Sequence, residues 1–341
     1  MKRKLKQRNP MATVLQNPCF KKRVVRDKTK YFRKGRAATK QLSAALLYNV
    51  RMDRQPLSMR AALLMIITFV VIAVWLPEVV RTKWLEKDCN CLLVSFLDVG
   101  QGDAILIKTP DGFEMLVDGG RDSSVLRELT KQRPFFDKKI DVVVSTHPDL
   151  DHVAGLVDVL NRYQVTTILM TENEGESGAA AAFAAAAPKE KAQIIFADAG
   201  QVLQLGQQVY LQVFSPTGDE SKVESNSASI VLRVVYGNTS FMLTGDAPQE
   251  IEDYLVRTYG AQLDSDVLKL GHHGSKTSTS DLWLDTVTPT YAVVSAGINN
   301  RYGHPHQDVM QRVFTRNIQT SHTGTDDTVT FQSDGQTIWK K

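Results

Sequence analysis

Four side chains able to hold a divalent cation fall within six residues, in the run His147-Pro148-Asp149-Leu150-Asp151-His152. The β-branched stretch before it, ending at Ser145, reads as a buried strand, and a helix is expected from near Val153. A polar loop at that junction lets alternate side chains diverge, one pair toward one metal and the second pair toward another. Imidazole and carboxylate together suit a divalent transition metal. The plainer alternative is a helix N-cap, with Asp151 as the capping residue and the histidines incidental. Four ligand-type side chains at the C-terminal end of one buried strand argue against it.

Two metals need further donors, and two other strand ends offer them. In SFMLTGDAPQE (240–250), Asp246 stands between a strand and a helix. A carboxylate there could bridge two cations and also cap the helix, with Glu250 completing the first turn. In DVLKLGHHGSKTS (266–278), His272 and His273 follow another strand. Adjacent histidines carry little weight alone, but with Asp246 and the first run they complete a ligand set.

A layered body has to position these residues. Strand-like runs recur at 92–97, 104–108, 115–117, 142–145, 167–170, 194–197, 209–214, 230–236, 240–243 and 291–295. Helical stretches lie between them at 123–132, 153–163, 177–192, 247–259, 278–286 and 307–316. Turn signals such as Pro110-Asp111-Gly112 join the first strands, and the alanine-rich segment Gly178–Ala187 reads as a surface helix. This predicts an α/β body of layered sheets covered by helices.

The order LVDGG (116–120), THPDLDH (146–152), TGD (244–246) and GHHGS (271–275) resembles the metallo-β-lactamase superfamily. FLDVGQGDAILI (96–107), NSASIVLRV (226–234), LKLGHHGS (268–275) and SAGINNRYGHP (295–305) are similar to one branch of it, the C-terminal hydrolase domain of the ComEC competence DNA-uptake family. The resemblance runs from about Leu92 to the C-terminus. It implies an αββα sandwich with two divalent metal ions, zinc or manganese, at one edge. His147 and Asp149 then resemble ligands of the first metal, Asp151 and His152 ligands of the second, and Asp246 the bridging carboxylate. His273 is favoured over His272 as the ligand that completes the shell of the second metal, with His272 facing substrate. Asp118, with Asp103 in the turn Gln101-Gly102-Asp103, would support the cluster from behind. Asp151, His272 and His304 are the catalytic candidates, and Asn226, Ser229, Ser275 and Lys276 the substrate-binding ones. Two departures from the wider superfamily stand out. The usual His-x-His is His147-x-Asp149, and no separate histidine completes the first site, where Asn226 and Ser229 lie. The first site is therefore richer in oxygen, which shifts preference toward manganese or weakly held zinc and away from a β-lactamase.

The charge is divided along the chain. Residues 1–60 hold 18 Lys/Arg against Asp27 and Asp53, a net +16, while the remaining 281 residues hold 23 Lys/Arg against 35 Asp/Glu, a net −12. The arm reads either as a solvated basic tail or as a contact for anionic lipid or nucleic acid. Residues 61–77 carry no charge and open a transmembrane helix expected over 61–80, followed by a linker at 81–91 and the hydrolase body at 92–341. The basic arm places the N-terminus in the cytoplasm and the body outside. Cys19, Cys89 and Cys91 define no disulfide framework. The leading expectation is a membrane-anchored phosphodiesterase or nuclease acting on DNA beside a separate uptake channel, although an acidic body lacks the basic footprint of nucleic-acid binding. Hydrolysis of small or cell-envelope substrates, such as phosphorylcholine-type esters or lactams, and a catalytically weak scaffold are the alternatives.

Overall fold

The computed structural model describes residues 90–341 except Phe135 and Glu220, together with Leu64, Met65 and Thr68. The basic tail, nearly all of the expected span at 61–80 and the linker up to Cys89 lie outside the described residues. Among the described residues no helix is long and apolar enough to cross a membrane. Cys91, buried just ahead of the first strand, is disulfide-bonded, with its partner outside the described residues. The spacing of Cys19, Cys89 and Cys91 draws no such bond from the sequence alone.

The chain builds two sheets in succession. The first takes β1 (Leu92–Phe96), β2 (Ile105–Lys108), β3 (Glu114–Val117), β4 (Lys139–Ser145), β5 (Gln164–Met170) and β6 (Gln193–Phe196), with helices α1 (Ser124–Gln132), α2 (Leu150–Arg162) and α3 (Gly178–Ala186) between the later strands. The second takes β7 (Val202–Leu205), β8 (Val209–Ser215), β9 (Val231–Tyr236), β10 (Thr239–Leu243), β11 (Val267–Lys269), β12 (Tyr291–Val294) and β13 (Gln319–His322), with α4 (Gln249–Tyr259), α5 (Asp281–Val287) and α6 (Gln307–Thr315). Two last strands, β14 (Val329–Ser333) and β15 (Ile338–Lys340), return to the first sheet, which runs β15-β14-β1-β2-β3-β4-β5-β6; the second runs β13-β12-β11-β10-β9-β8-β7.

Side-chain alternation along the strands sorts the residues into layers. In β4, Val142 and Val144 enter the core between the sheets, while Val143 turns to the outer layer under α1 and α2 with Leu129, Leu156 and Leu160. In β10, Phe241 and Leu243 face the other sheet and Met242 packs outward with Leu255, Trp283 and Val309. Strands covered on both faces need near-continuous apolar runs, and β3 and β10 are buried at every position. The result is an α/β sandwich with helices outside two sheets.

Both sheets begin antiparallel and end parallel. Strands β1 to β3 and β7 to β10 are antiparallel meanders, whereas β3 to β6 and β10 to β13 pair in parallel. Ligands of open parallel sheets gather at the carboxyl ends of strands. Asp118 follows β3, the His147 run follows β4, Asp246 follows β10 and His272-His273 follow β11.

Candidate metal centre

Helix α2 starts at Leu150, three residues earlier than the sequence suggests. Asp149 takes the N-cap position without a side-chain cap bond, and Asp151 and His152 sit in the first turn. The helix docks backbone to backbone. Gly155 N donates to Gly120 O at 3.0 Å and Gly119 N donates to His152 O at 2.8 Å. A Cβ on Gly155 would lie 1.9 Å from Gly119 O, so no other residue permits this approach. Likewise a Cβ on Gly102 would lie 2.2 Å from Asp151 O, where Asp103 N donates at 3.2 Å. Two close approaches thus bring Asp118 and Asp103 up behind the first run.

Asp118 then organises the imidazoles. Its Oδ1 accepts Thr146 N at 2.8 Å, and its Oδ2 accepts both Thr146 Oγ1 at 2.7 Å and His152 Nδ1 at 2.8 Å. Thr146 Oγ1, having spent its proton on Asp118, accepts His147 Nδ1–H at 3.0 Å. One carboxylate therefore keeps a proton on Nδ1 of both histidines and makes Nε2, when deprotonated, the ligand atom.

From the second sheet, Asp246 N donates to Ser229 Oγ at 3.2 Å. His272 (φ 48°) and His273 (φ 56°) are consecutive left-handed residues, a strained arrangement held by its surroundings. Glu252 helps to hold it, with its two carboxylate oxygens accepting Thr279 N at 2.5 Å and Ser280 N at 2.8 Å, and Thr279 Oγ1 in turn accepting Gly271 N at 3.2 Å. His273 Nδ1 donates to Ser295 O at 2.9 Å, which turns its Nε2 inward.

The pieces meet at one atom. Asp246 Oδ2 stands 3.4 Å from His152 Nε2, 3.5 Å from His273 Nε2, 3.6 Å from His272 Nε2 and 3.9 Å from His147 Nε2. His273 Nε2 is also 3.5 Å from Asp151 Oδ2. The Nε2 atoms of His147, His152 and His273 are buried without a hydrogen-bond partner among the described residues. Buried polar atoms are rarely left so, and a divalent cation is a partner that imidazole and carboxylate suit together. The sets His147–His152–Asp246 and Asp151–His152–His273 each bring one donor atom per residue within 4.8 Å of the others. The residues fit a divalent metal.

Protonation follows the same geometry. Burial opposes charge on His152, but Asp246 and Asp118 outweigh it and hold the imidazole well above its ordinary value. His273, also buried, is pushed up to about 9 by Asp246 and Asp103. His147 goes the other way, driven well below its ordinary value by burial and by the charge on His152. Burial would raise Asp246, yet His273, His152 and Lys269 hold it well below the usual carboxylate range. Asp151 is lowered against its burial by the His273 imidazole 3.5 Å away and by the charge of His152.

The other candidates occupy distinct places. Asp149 lies at the rim, its Oδ1 accepting Ser225 Oγ at 2.6 Å and its Oδ2 3.9 Å from His147 Nε2. Ser229 is fully buried and serves the Asp246 amide, while Asn226 carries a buried Oδ1 without a partner among the described residues. Ser275 is buried, its Oγ accepting the Thr277 hydroxyl at 3.0 Å, and Lys276 is exposed, its backbone N–H donating to His306 Nδ1. The His304 ring packs 5.5 Å from that of His272, and burial with the charge of neighbouring histidines lowers it to about 4. One residue escaped the sequence reading. Lys269 is fully buried and pairs with Asp103 and with Asp246. Its signal was its register, since in a strand it shares the face of Val267, which packs between the sheets.

A two-sheet sandwich with a histidine–aspartate cluster at strand ends defines a class of metallohydrolase folds. The chain matches the family model "Metallo-beta-lactamase superfamily" over residues 97–298 and belongs to that superfamily. It is 31% identical to ComE operon protein 3 of Bacillus subtilis (strain 168) over 256 residues, covering 70% of this chain and 33% of that protein. It is 32% identical to competence protein ComA of Neisseria gonorrhoeae over 238 residues, covering 69% and 31%. These relatives are of the ComEC competence family, and the chain spans about a third of their length. Among solved structures, Igni18, a metallo hydrolase from Ignicoccus hospitalis, superposes with a TM-score of 0.50 at 15% identity, covering 71% of this chain and 100% of that one, which shows the shared fold.

Proposed function

We propose that the body is a divalent-metal phosphodiesterase whose target is DNA handled during uptake. The observation that carries the reading is the convergence of four imidazole Nε2 atoms on Asp246 Oδ2, with Asp151 beside His273. His147, Asp151, His152, Asp246 and His273 would hold two cations, with Asp149 joining from the rim. Bound divalent cations supply positive charge to a phosphoryl or carbonyl oxygen and acidify water. Asp149, where an imidazole is usual, favours phosphorus over lactam carbonyl chemistry by making the first site richer in oxygen. His272 and His304 are partly exposed, with rings 5.5 Å apart, and can bind substrate oxygens and exchange a proton with the leaving group. Kinship with competence proteins supports DNA as the substrate. In this reading segment 61–80 anchors the body outside the cytoplasmic membrane, beside a separate channel protein.

One observation favours a second reading, the hydrolysis of small zwitterionic or cell-envelope phosphodiesters. A cleft of about 820 Å³ reaches Asp149 and Ser225 and is lined by Asp149, Glu172, Glu174, Glu176 and Glu224, with Lys222 the only base among the described residues that line it. A DNA strand brings a negative charge with every phosphate to such a surface, whereas an ammonium group would be drawn to it. The full-length chain, loaded with manganese or zinc, should be assayed on single-stranded DNA, a chromogenic bis-phosphodiester and a chromogenic lactam. Metal-dependent DNA cleavage that disappears in Asp151→Ala supports the first reading. Turnover of the ester without DNA cleavage selects the second. Lactam turnover alone, or no hydrolysis with either metal, overturns both.

A further inference from the structure

Lys269 is the only lysine buried among the described residues. An ammonium removed from water needs close partners to offset its lost hydration, and three surround this one. Its Nζ pairs with Asp103 Oδ2, donates to Gly245 O at 2.9 Å and lies 3.5 Å from Asp246 Oδ1. Asp103 alone would neutralise the charge. The other two contacts both fall on the turn that carries Asp246. They divide its carboxylate, with Oδ1 toward the ammonium and Oδ2 toward the four imidazoles.

We propose that Lys269 is a positioning residue of the metal centre. Its charge draws Asp246 Oδ1 from 3.5 Å and its hydrogen bond holds the neighbouring Gly245 carbonyl, so that Oδ2 alone is presented to the imidazoles, and Asp103 fixes the lysine in place. The inference rests on the reading of this cluster as a metal centre.

The test has to separate position from net charge. Lys269→Met alone makes the pocket one unit more negative, which attracts a cation, and leaves Asp103 buried and unpaired. The double variant Lys269→Met with Asp103→Asn removes both members of the pair, leaves the net charge unchanged and strands no ion. Cobalt is the probe, titrated into the full-length chain and followed by its visible absorption, alongside thermal unfolding without metal. The double variant is expected to unfold near the wild-type midpoint, to bind cobalt about tenfold or more weakly and to show an altered ligand-field spectrum. Lys269→Arg keeps the charge and shifts the donor. Should the double variant fail to fold, Lys269→Arg is expected to show the weaker binding and altered spectrum instead. Wild-type cobalt binding with unchanged affinity and spectrum in the folded variant overturns this inference alone. A wild-type chain that takes up no cobalt overturns the metal-centre reading and this inference with it.

Discussion

Replacing Asp118 by Asn tests how the cluster is aimed. The side chain is fully buried and receives three donors, Thr146 N, Thr146 Oγ1 and His152 Nδ1. An amide of the same shape offers one oxygen and two N–H donors in place of two acceptor oxygens. If its oxygen keeps Thr146 N, its nitrogen meets His152 Nδ1 donor to donor. His152 can relieve the clash only by giving up its Nδ1 proton, which leaves a proton on Nε2, the nitrogen that faces Asp246. Thr146 Oγ1 loses its acceptor too, and His147 Nδ1 loses the lone pair it was using. Two hydrogen bonds to a buried charge are lost, each worth about 1.5–3 kcal/mol. New bonds by Thr146 recover part of that, so a net loss of about 2–4 kcal/mol is expected. Metal affinity should fall about 10- to 100-fold, the usual cost of losing a partner behind a ligand. Urea unfolding of the metal-free chain measures the first, and zinc competition with a chromophoric chelator measures the second. Thr146→Val should show a smaller loss of both, because it removes the hydroxyl bonds to Asp118 and His147 and leaves His152 bonded to Asp118. A folded Asp118→Asn chain with zinc affinity within about twofold of wild type would refute the argument that this carboxylate sets both tautomers.

Three further outcomes follow from the same contacts. Gly155→Ala places a Cβ 1.9 Å from Gly119 O, so a loss of about 2 kcal/mol or more is expected by thermal unfolding, and unchanged stability would show that the helix can stand off from that turn. Metal uptake at pH 7 should release about one to two protons per chain, because His152 and His273 hold protons in the metal-free protein and must lose them to bind; a pH indicator in weak buffer reads this, and uptake without release contradicts it. Glu252, raised by burial from its ordinary value to about 7, favours folding fully below about pH 4.5 and loses that contribution as pH rises through about 7, a change of about 3 kcal/mol. Comparing Glu252→Gln with wild type in urea across that window should show the wild type losing ground as pH rises; parallel profiles would count against it.

The sequence showed the interior more readily than the edges. Runs such as Val142–Ser145 and Ile230–Tyr236 are apolar because both faces are covered, so they stand out without any partner in view. The strand Val202–Leu205 lies at the margin of its sheet, with Val202 mostly exposed and Gln204 solvated, and carries no comparable pattern. Gln319–His322 is polar for the same reason. Val329–Ser333 pairs with Leu92–Phe96, a partner more than two hundred residues earlier, which no local window reveals. Within the site, ligand types were legible because histidine and aspartate cluster visibly along the chain. Their supports were less so. Thr146 acts through Asp118, which reaches it only once β3 and β4 lie side by side, Lys269 acts through a contact between the two sheets, and the start of α2 at Leu150 goes with glycine contacts to the turn after β3.

The division of labour between the sheets accounts for the shape of the centre. The first contributes Asp118 and the His147 run from the ends of β3 and β4, and the second contributes Asp246 and His272-His273 from the ends of β10 and β11. Each half follows the point where an antiparallel meander turns into parallel pairing. Neither half supplies an electrically balanced site. The first brings a hydrogen-bonded carboxylate that keeps two imidazoles oriented, and the second brings a carboxylate buried against three cationic groups. The carboxylates Asp103, Asp118, Asp151 and Asp246 outnumber the single fixed cation of the cluster, Lys269, and in the metal-free protein His152 and His273 offset part of the deficit by holding protons. Such protons are exchangeable for a divalent charge at the same nitrogens. The centre is thus poised between two occupants of one negative pocket, protons or metal, and its affinity for metal must fall as pH falls.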